Sequence, residues 1–113
     1  MENSNELVQN LILELRRGAI VLAVLSQLDE EQYGYSLLKS LSDGGLEVDQ
    51  GTIYPLLRRL ESQGLLQSDW RLADETRPRR YYVLSPQGRL LLEQLKQEWS
   101  NLASVINRML VSG

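Results

Sequence analysis

The last third of the chain holds its most constraining pattern. Leu92, Leu95, Trp99, Leu102, Ile106 and Met109 follow one another at intervals of three, four, three, four and three. That is a heptad seam over about two and a half repeats. Ser85-Pro86 opens this helix as N-cap and first helical residue, since a proline there gives up no intrahelical hydrogen bond. From Pro86 to Leu110 such a helix is about 37 Å long at 1.5 Å per residue. A chain of 113 residues cannot cover its apolar side unaided, and a second copy is the simplest cover.

The rest of the pattern shows what this helix follows. Ser4 or Asn5 is expected to cap a first helix carrying the stripe Leu7, Leu11, Leu15 and running on through Ala19, Leu22, Ala23 and Leu25 to Leu28. Gly18 inside it marks either a bend or a close approach by another helix. A short helix from about Tyr35 to Leu41 follows, with Leu37, Leu38 and Leu41 inward, stopped by Ser42-Asp43-Gly44-Gly45. A third starts after Asp49 as N-cap and ends at Gly64. Ile53, Leu56, Leu57 and Leu60 share its inner face. Gly51, Tyr54, Pro55 and Arg58 fall opposite, with Thr52 and Arg59 on a flank. The period then changes to two. Leu65–Leu72 and Tyr81–Leu84 read as strands around a polar tip, Ala73 to Pro78, with Arg79 and Arg80 flanking it. Either Tyr81 or Tyr82 must face the core, and Trp70 is expected there too.

The chain has neither Cys nor His. Thiol chemistry, zinc fingers and His-based proton transfer are thereby removed, and no metal or cofactor is expected. No carboxylate pair sits in an apolar context, so an enzyme is not expected. The longest uncharged stretch of the N-terminal half, Gly18–Leu28, is far short of the about 20 apolar residues of a membrane span. The N-terminus lacks the basic start of a signal peptide, so the expected compartment is the cytoplasm.

Net charge is −3, a poor omen for nucleic acid until it is divided. Residues 1–49 carry nine acids against three bases. Residues 50–90 carry seven bases, all Arg, against four acids. Arginine suits phosphate oxygens and guanine edges. Two short helices, a tight connection and a hairpin with a basic tip describe a winged helix-turn-helix, which places its third helix in the major groove and its hairpin on the backbone or minor groove. Gln50, Gly51, Thr52, Tyr54, Pro55, Arg58 and Arg59 are the candidate groove residues, although Tyr54 also fits a place in the core. Arg77, Arg79 and Arg80 are the candidate wing residues. Tyr35 and Lys39 are candidates for a phosphate, with a core position as the other reading of Tyr35.

Several ordered motifs then carry a resemblance. Leu15-Arg16-Arg17-Gly18-Ala19, Tyr33-Gly34-Tyr35, the run from Gly51 to Glu61, Gly64-Leu65-Leu66, Arg79-Arg80-Tyr81-Tyr82 and Leu84-Ser85-Pro86-Gln87-Gly88 together resemble the PadR-type transcriptional regulators. The resemblance implies a prokaryotic, cytoplasmic, homodimeric repressor of the short subtype that binds double-stranded DNA at a pseudo-palindromic operator. It implies dimer contacts through the last helix, at Leu92, Leu95, Trp99, Leu102, Ile106 and Met109, and through the first, at Leu7 and Leu11. Some short relatives hold flat aromatic ligands beside a Trp in the dimer interface. Trp99, too large for a tight seam and with an indole N–H needing a partner, lies in a similar place. A small aromatic effector there and plain dimer packing both remain open.

The expected fold is mainly α with a small β-hairpin (α+β). Residues 1–28 form the N-terminal helical part, 29–84 the winged helix-turn-helix and 85–113 the dimerisation helix, all in one structural domain. The competing reading is a winged-helix module that binds protein rather than DNA, suggested by the acidic first 49 residues.

Overall fold

A computed structural model describes residues 3–72 and 77–112. Seven elements follow in order: α1 (Ser4–Gln27), β1 (Gln32–Tyr33), α2 (Gly34–Asp43), α3 (Gln50–Ser62), β2 (Leu66–Leu72), β3 (Pro78–Leu84) and α4 (Pro86–Ser112). The architecture is α+β, four helices and a three-stranded antiparallel sheet of order β1-β3-β2. Hairpin-tip residues 73–76 lie outside the described residues.

α1 is capped one residue earlier than expected. The Asn3 Oδ1 accepts from the Glu6 amide at 2.8 Å. It runs unbroken past Gly18, where a side chain would meet nothing within 4 Å. Gly18 therefore marks neither a bend nor a close helix contact within the protomer. The C-terminal half of α1 enters the core at Val24 and Leu25, and the chain leaves through buried Leu28. Its first four turns leave Leu7, Val8, Leu11, Ile12 and Leu15 exposed.

The core gathers Leu37 and Leu41 of α2, Ile53, Leu56, Leu57 and Leu60 of α3, and Leu66, Tyr82 and Leu84 of the sheet. These are the inward positions of each period. Tyr82 is the tyrosine that faces inward; Tyr81 lies half-buried on the other face. Leu92 closes the cluster from α4, at 6% exposure. The heptad seam thus begins inside the protomer: Leu92 belongs to its own core and half-buried Leu95 packs against it, whereas Trp99, Leu102, Ile106 and Met109 are exposed.

Ser85 joins the layers. Its amide donates to the Leu65 carbonyl at 3.0 Å and its hydroxyl to the Gly64 carbonyl at 2.7 Å, while the hydroxyl oxygen accepts from the Gly88 amide at 2.9 Å. One side chain thus caps α4 and fixes it to the end of α3. A Cβ on Gly88 would overlap the Leu65 carbonyl, so the first turn of α4 lies directly on that backbone. α4 then runs out beyond the globule, and the protomer measures 57 × 36 × 25 Å overall. No helix among the described residues is long and apolar enough to cross a membrane.

Candidate nucleic-acid interface

The strand β1 is two residues long and carries no period of its own. Gln32 pairs with Tyr82 and Tyr33 with Tyr81. This pairing brings the start of α2 against the hairpin and sets Tyr33, Tyr35 and Tyr81 side by side. The Tyr33 and Tyr35 rings stack at 6.5 Å, and Tyr33 meets Tyr81 edge-on at 5.4 Å. Tyr35 remains largely in solvent at the front of α2, with exposed Lys39 one turn on. The core reading of Tyr35 is therefore not the one the structure adopts.

α3 starts where expected. Asp49 is the N-cap, but its carboxylate accepts from the Thr52 hydroxyl at 2.6 Å and no backbone amide. Gln50, Gly51, Thr52, Pro55, Arg58 and Arg59 are all exposed on one side of the helix. Tyr54 is not. It is half-buried against the core, over Gly34, where a Cβ would overlap the Tyr54 ring. The glycine between Tyr33 and Tyr35 is thus the site that receives Tyr54, and the ring turns inward rather than toward a groove.

The arginines divide into two groups. Arg71 pairs with Glu31 and Asp69, Arg80 with Glu61, and Arg89 with Asp29. The Arg71 guanidinium is held above its ordinary value, chiefly by its hydrogen bond to Glu31. Arg16 donates to the Glu47 carbonyl at 2.6 Å. Lys39, Arg58, Arg59 and Arg79 make no ion pair among the described residues. The charge asymmetry read along the sequence is thus partly cancelled in space: Asp29 and Glu31 of the acidic segment meet Arg89 and Arg71 of the basic one. Arg17 of α1 has no ion pair among the described residues either, and it lines one cleft with Gly51, Thr52, Pro55 and Arg59 at the start of α3.

Alternation along β3 sends Arg79 and Arg80 to opposite faces. Arg79 lies over the Tyr33 ring, 4.4 Å from its centre, half-exposed and without a carboxylate partner. Arg80 faces α3. Its Nη2 donates to Glu61 at 2.7 Å and its Nε to the Ser68 hydroxyl at 3.0 Å, and Ser68 donates in turn to Glu61. The Trp70 and Tyr82 rings flank it at 5.6 and 5.5 Å. Arg80 is therefore a tie between hairpin and α3, not a free wing cation as the sequence suggested. Arg77 is exposed at the edge of the described hairpin.

Trp70 corrects a second expectation. Its strand position has the parity of buried Leu66, yet it is 61% exposed, because the hairpin runs past the edge of the core. At the far end of the molecule Trp99 is 52% exposed, on the stretch of α4 that leaves the globule. No group of three or more Asp or Glu among the described residues is placed to hold a metal ion.

Comparison with known proteins agrees with this geometry. Residues 21–94 match the family described as the Transcriptional regulator PadR-like family. The chain is 41% identical over 91 residues to Transcriptional regulator Rv3488 of Mycobacterium tuberculosis, covering 80% of this chain and 84% of that protein. The crystal structure of a PadR family transcriptional regulator from Eggerthella lenta superposes with a TM-score of 0.85 at 44% identity over 94% of each chain. A PadR-like transcription factor from Bacteroides fragilis does so with a TM-score of 0.75 at 31% identity, over 88% of this chain and 98% of its own.

Proposed function

The chain belongs to the PadR-like family of transcriptional regulators, and on that footing we propose that it is a homodimeric repressor that binds a pseudo-palindromic DNA operator. α3 enters the major groove with Gln50, Gly51, Thr52, Pro55 and Arg58 toward the bases. Lys39, Tyr35 and Arg59 contact phosphates on either side. Arg79, with Arg77, carries the hairpin onto the backbone and the adjoining minor groove. The observation that carries this reading is the sorting of the cations. In a protein of net charge −3, Lys39, Arg58, Arg59 and Arg79, all without an ion pair among the described residues, lie on α2, α3 and the hairpin, and Arg17 of α1, also unpaired there, lines one cleft with Gly51, Thr52, Pro55 and Arg59 of α3.

Dimerisation rests on the apolar residues that the protomer leaves in solvent. Trp99, Leu102, Ile106 and Met109 line α4, and Leu7 and Leu11 line the start of α1. Two such chains place two recognition helices about one helical turn apart on DNA. A flat aromatic molecule beside Trp99, where the ring prevents a tight seam, would shift the two α4 helices and release the DNA. As a cytoplasmic regulator the protein has ready access to both DNA and such a molecule.

Selection from a random-sequence duplex pool, followed by gel shift across a salt series, tests the reading. A selected palindrome and a steep loss of affinity with salt are expected. Failure to enrich any sequence at moderate salt would sink the repressor assignment. The acidic first 49 residues, which suggest the protein-binding alternative, are engaged within this chain at Asp29 and Glu31, by Arg89 and Arg71.

A further inference from the structure

The cleft between α3 and the hairpin contains a large apolar ring that the contacts proposed above leave unused. Tyr33, Gly34, Tyr54, Arg58, Trp70, Pro78, Arg79, Arg80 and Tyr82 line about 410 Å³ of open space. Trp70 forms one wall, with Arg80 directly across the ladder from it. Burial falls off along β2 as the strand leaves the core: Leu66 is buried, Ser68 half-buried, Trp70 and Leu72 exposed. Nothing in this protomer's core covers the Trp70 ring. An exposed Trp far from the apolar stretches of α1 and α4 has no evident place in the dimer seam.

We propose that Trp70 is a DNA-backbone contact and that this cleft seats one sugar–phosphate strand; the proposal rests on the DNA-binding reading above. A major groove and the minor groove beside it are separated by a single backbone strand. A helix in the first and a hairpin in the second must straddle that strand, and the walls between them are what it meets. The chemistry of the walls fits a strand in which apolar deoxyribose alternates with anionic phosphate. Trp70 and Pro78 supply flat apolar surface, while Arg79 supplies a cation without an ion-pair partner among the described residues. Arg80, held by Glu61 and Ser68, stiffens the Trp70 ring from below through its guanidinium. The contact carries no base information, so it acts on every sequence alike.

The test uses the full chain and a random-sequence 20-base-pair duplex at low salt, with a dye on the DNA for anisotropy. Acrylamide quenching of Trp emission is read with and without duplex, for the unaltered chain and for Trp70→Phe, which keeps only Trp99. The duplex is expected to shield the unaltered chain from acrylamide and to leave Trp70→Phe unchanged. Trp70→Ala should bind the pool about tenfold more weakly, the size expected for covering roughly half of an exposed Trp ring. Its salt slope should be unchanged, because no charge is lost. Its melting temperature should stay close to that of the unaltered chain, since the ring is mostly in solvent. Binding with Trp70 as open to acrylamide as before, or with Trp70→Ala at full affinity, overturns the proposal. A chain that binds no duplex at all overturns the DNA-binding reading itself and the proposal with it.

Discussion

The Arg80–Glu61 pair makes the sharpest quantitative prediction. The two side chains are 34% and 27% exposed, between the surface pairs worth roughly 0.2–1 kcal/mol and buried pairs whose rupture costs about 3–5 kcal/mol. A coupling of about 1 kcal/mol is expected from a cycle of Glu61→Ala, Arg80→Ala and the double variant. Arg80→Ala also removes the cation from between two rings, at roughly 0.5–1 kcal/mol for such contacts, so its total loss is about 2 kcal/mol. At about 4 °C per kcal/mol for a domain of this size, its midpoint should fall by about 8 °C. Urea unfolding at one fixed protomer concentration measures the cycle, since self-association shifts apparent stability with concentration. Energies that add to within about 0.3 kcal/mol would mean that the two groups do not act together, and the tie would be refuted. DNA binding gives a second, independent readout. If Arg80 positions the hairpin, Glu61→Ala weakens duplex binding a few-fold although it removes a negative charge beside the DNA. If Arg80 were only a phosphate contact, Glu61→Ala would set it free and tighten binding.

Three further outcomes follow from the packing and ionisation described above. Gly88→Ala places a methyl against the Leu65 backbone carbonyl, where no rotamer change relieves the overlap; it should lower stability by about 2–4 kcal/mol in a thermal melt, and an unchanged midpoint would contradict the close approach of α4. Burial pushes the Tyr82 phenol above its ordinary value of about 10. The unfolded chain therefore releases this proton first as pH rises, so stability is full below pH about 10 and declines above it; Tyr82→Phe should flatten that alkaline decline in urea titrations, and an identical decline would assign it to other groups. If two chains pair through α4 as proposed, Leu102→Glu should elute as a monomer in size-exclusion chromatography with light scattering and abolish the rise of melting temperature with protein concentration; a variant that elutes unchanged would place the interface elsewhere.

The helices and the hairpin are legible in the sequence because each buries one face and so repeats with its own period. What escaped was set by neighbours distant in sequence. The two residues of β1 are too few for a period, and only pairing with Tyr81 and Tyr82 makes them a strand. Tyr54 falls opposite the inner face on the α3 projection, and the missing side chain of Gly34, twenty residues earlier, decides that it turns inward. The fates of Arg79 and Arg80 could have been separated, since adjacent strand residues face opposite ways and Arg80 shares the parity of Tyr82 and Leu84. Parity failed for Trp70 because alternation gives a direction but not the distance to which a core extends. The same limit applies to Leu92, where the heptad is continuous and only the packing shows which knob lies at home.

The joint at Ser85 has a mechanical consequence. β3 passes into α4 with no linker, and the Ser85 hydroxyl binds both to the end of α3. The hairpin strand from Ser85 to Pro78 is a rigid arm of about 23 Å at roughly 3.3 Å per residue. A tilt of only about 5° at the joint carries its far end by about 2 Å, more than the tolerance of a hydrogen bond. Small rotations of the long helix are therefore geared into displacements of the hairpin's far end, where the proposed backbone contact would be made or broken, with no hinge loop between them.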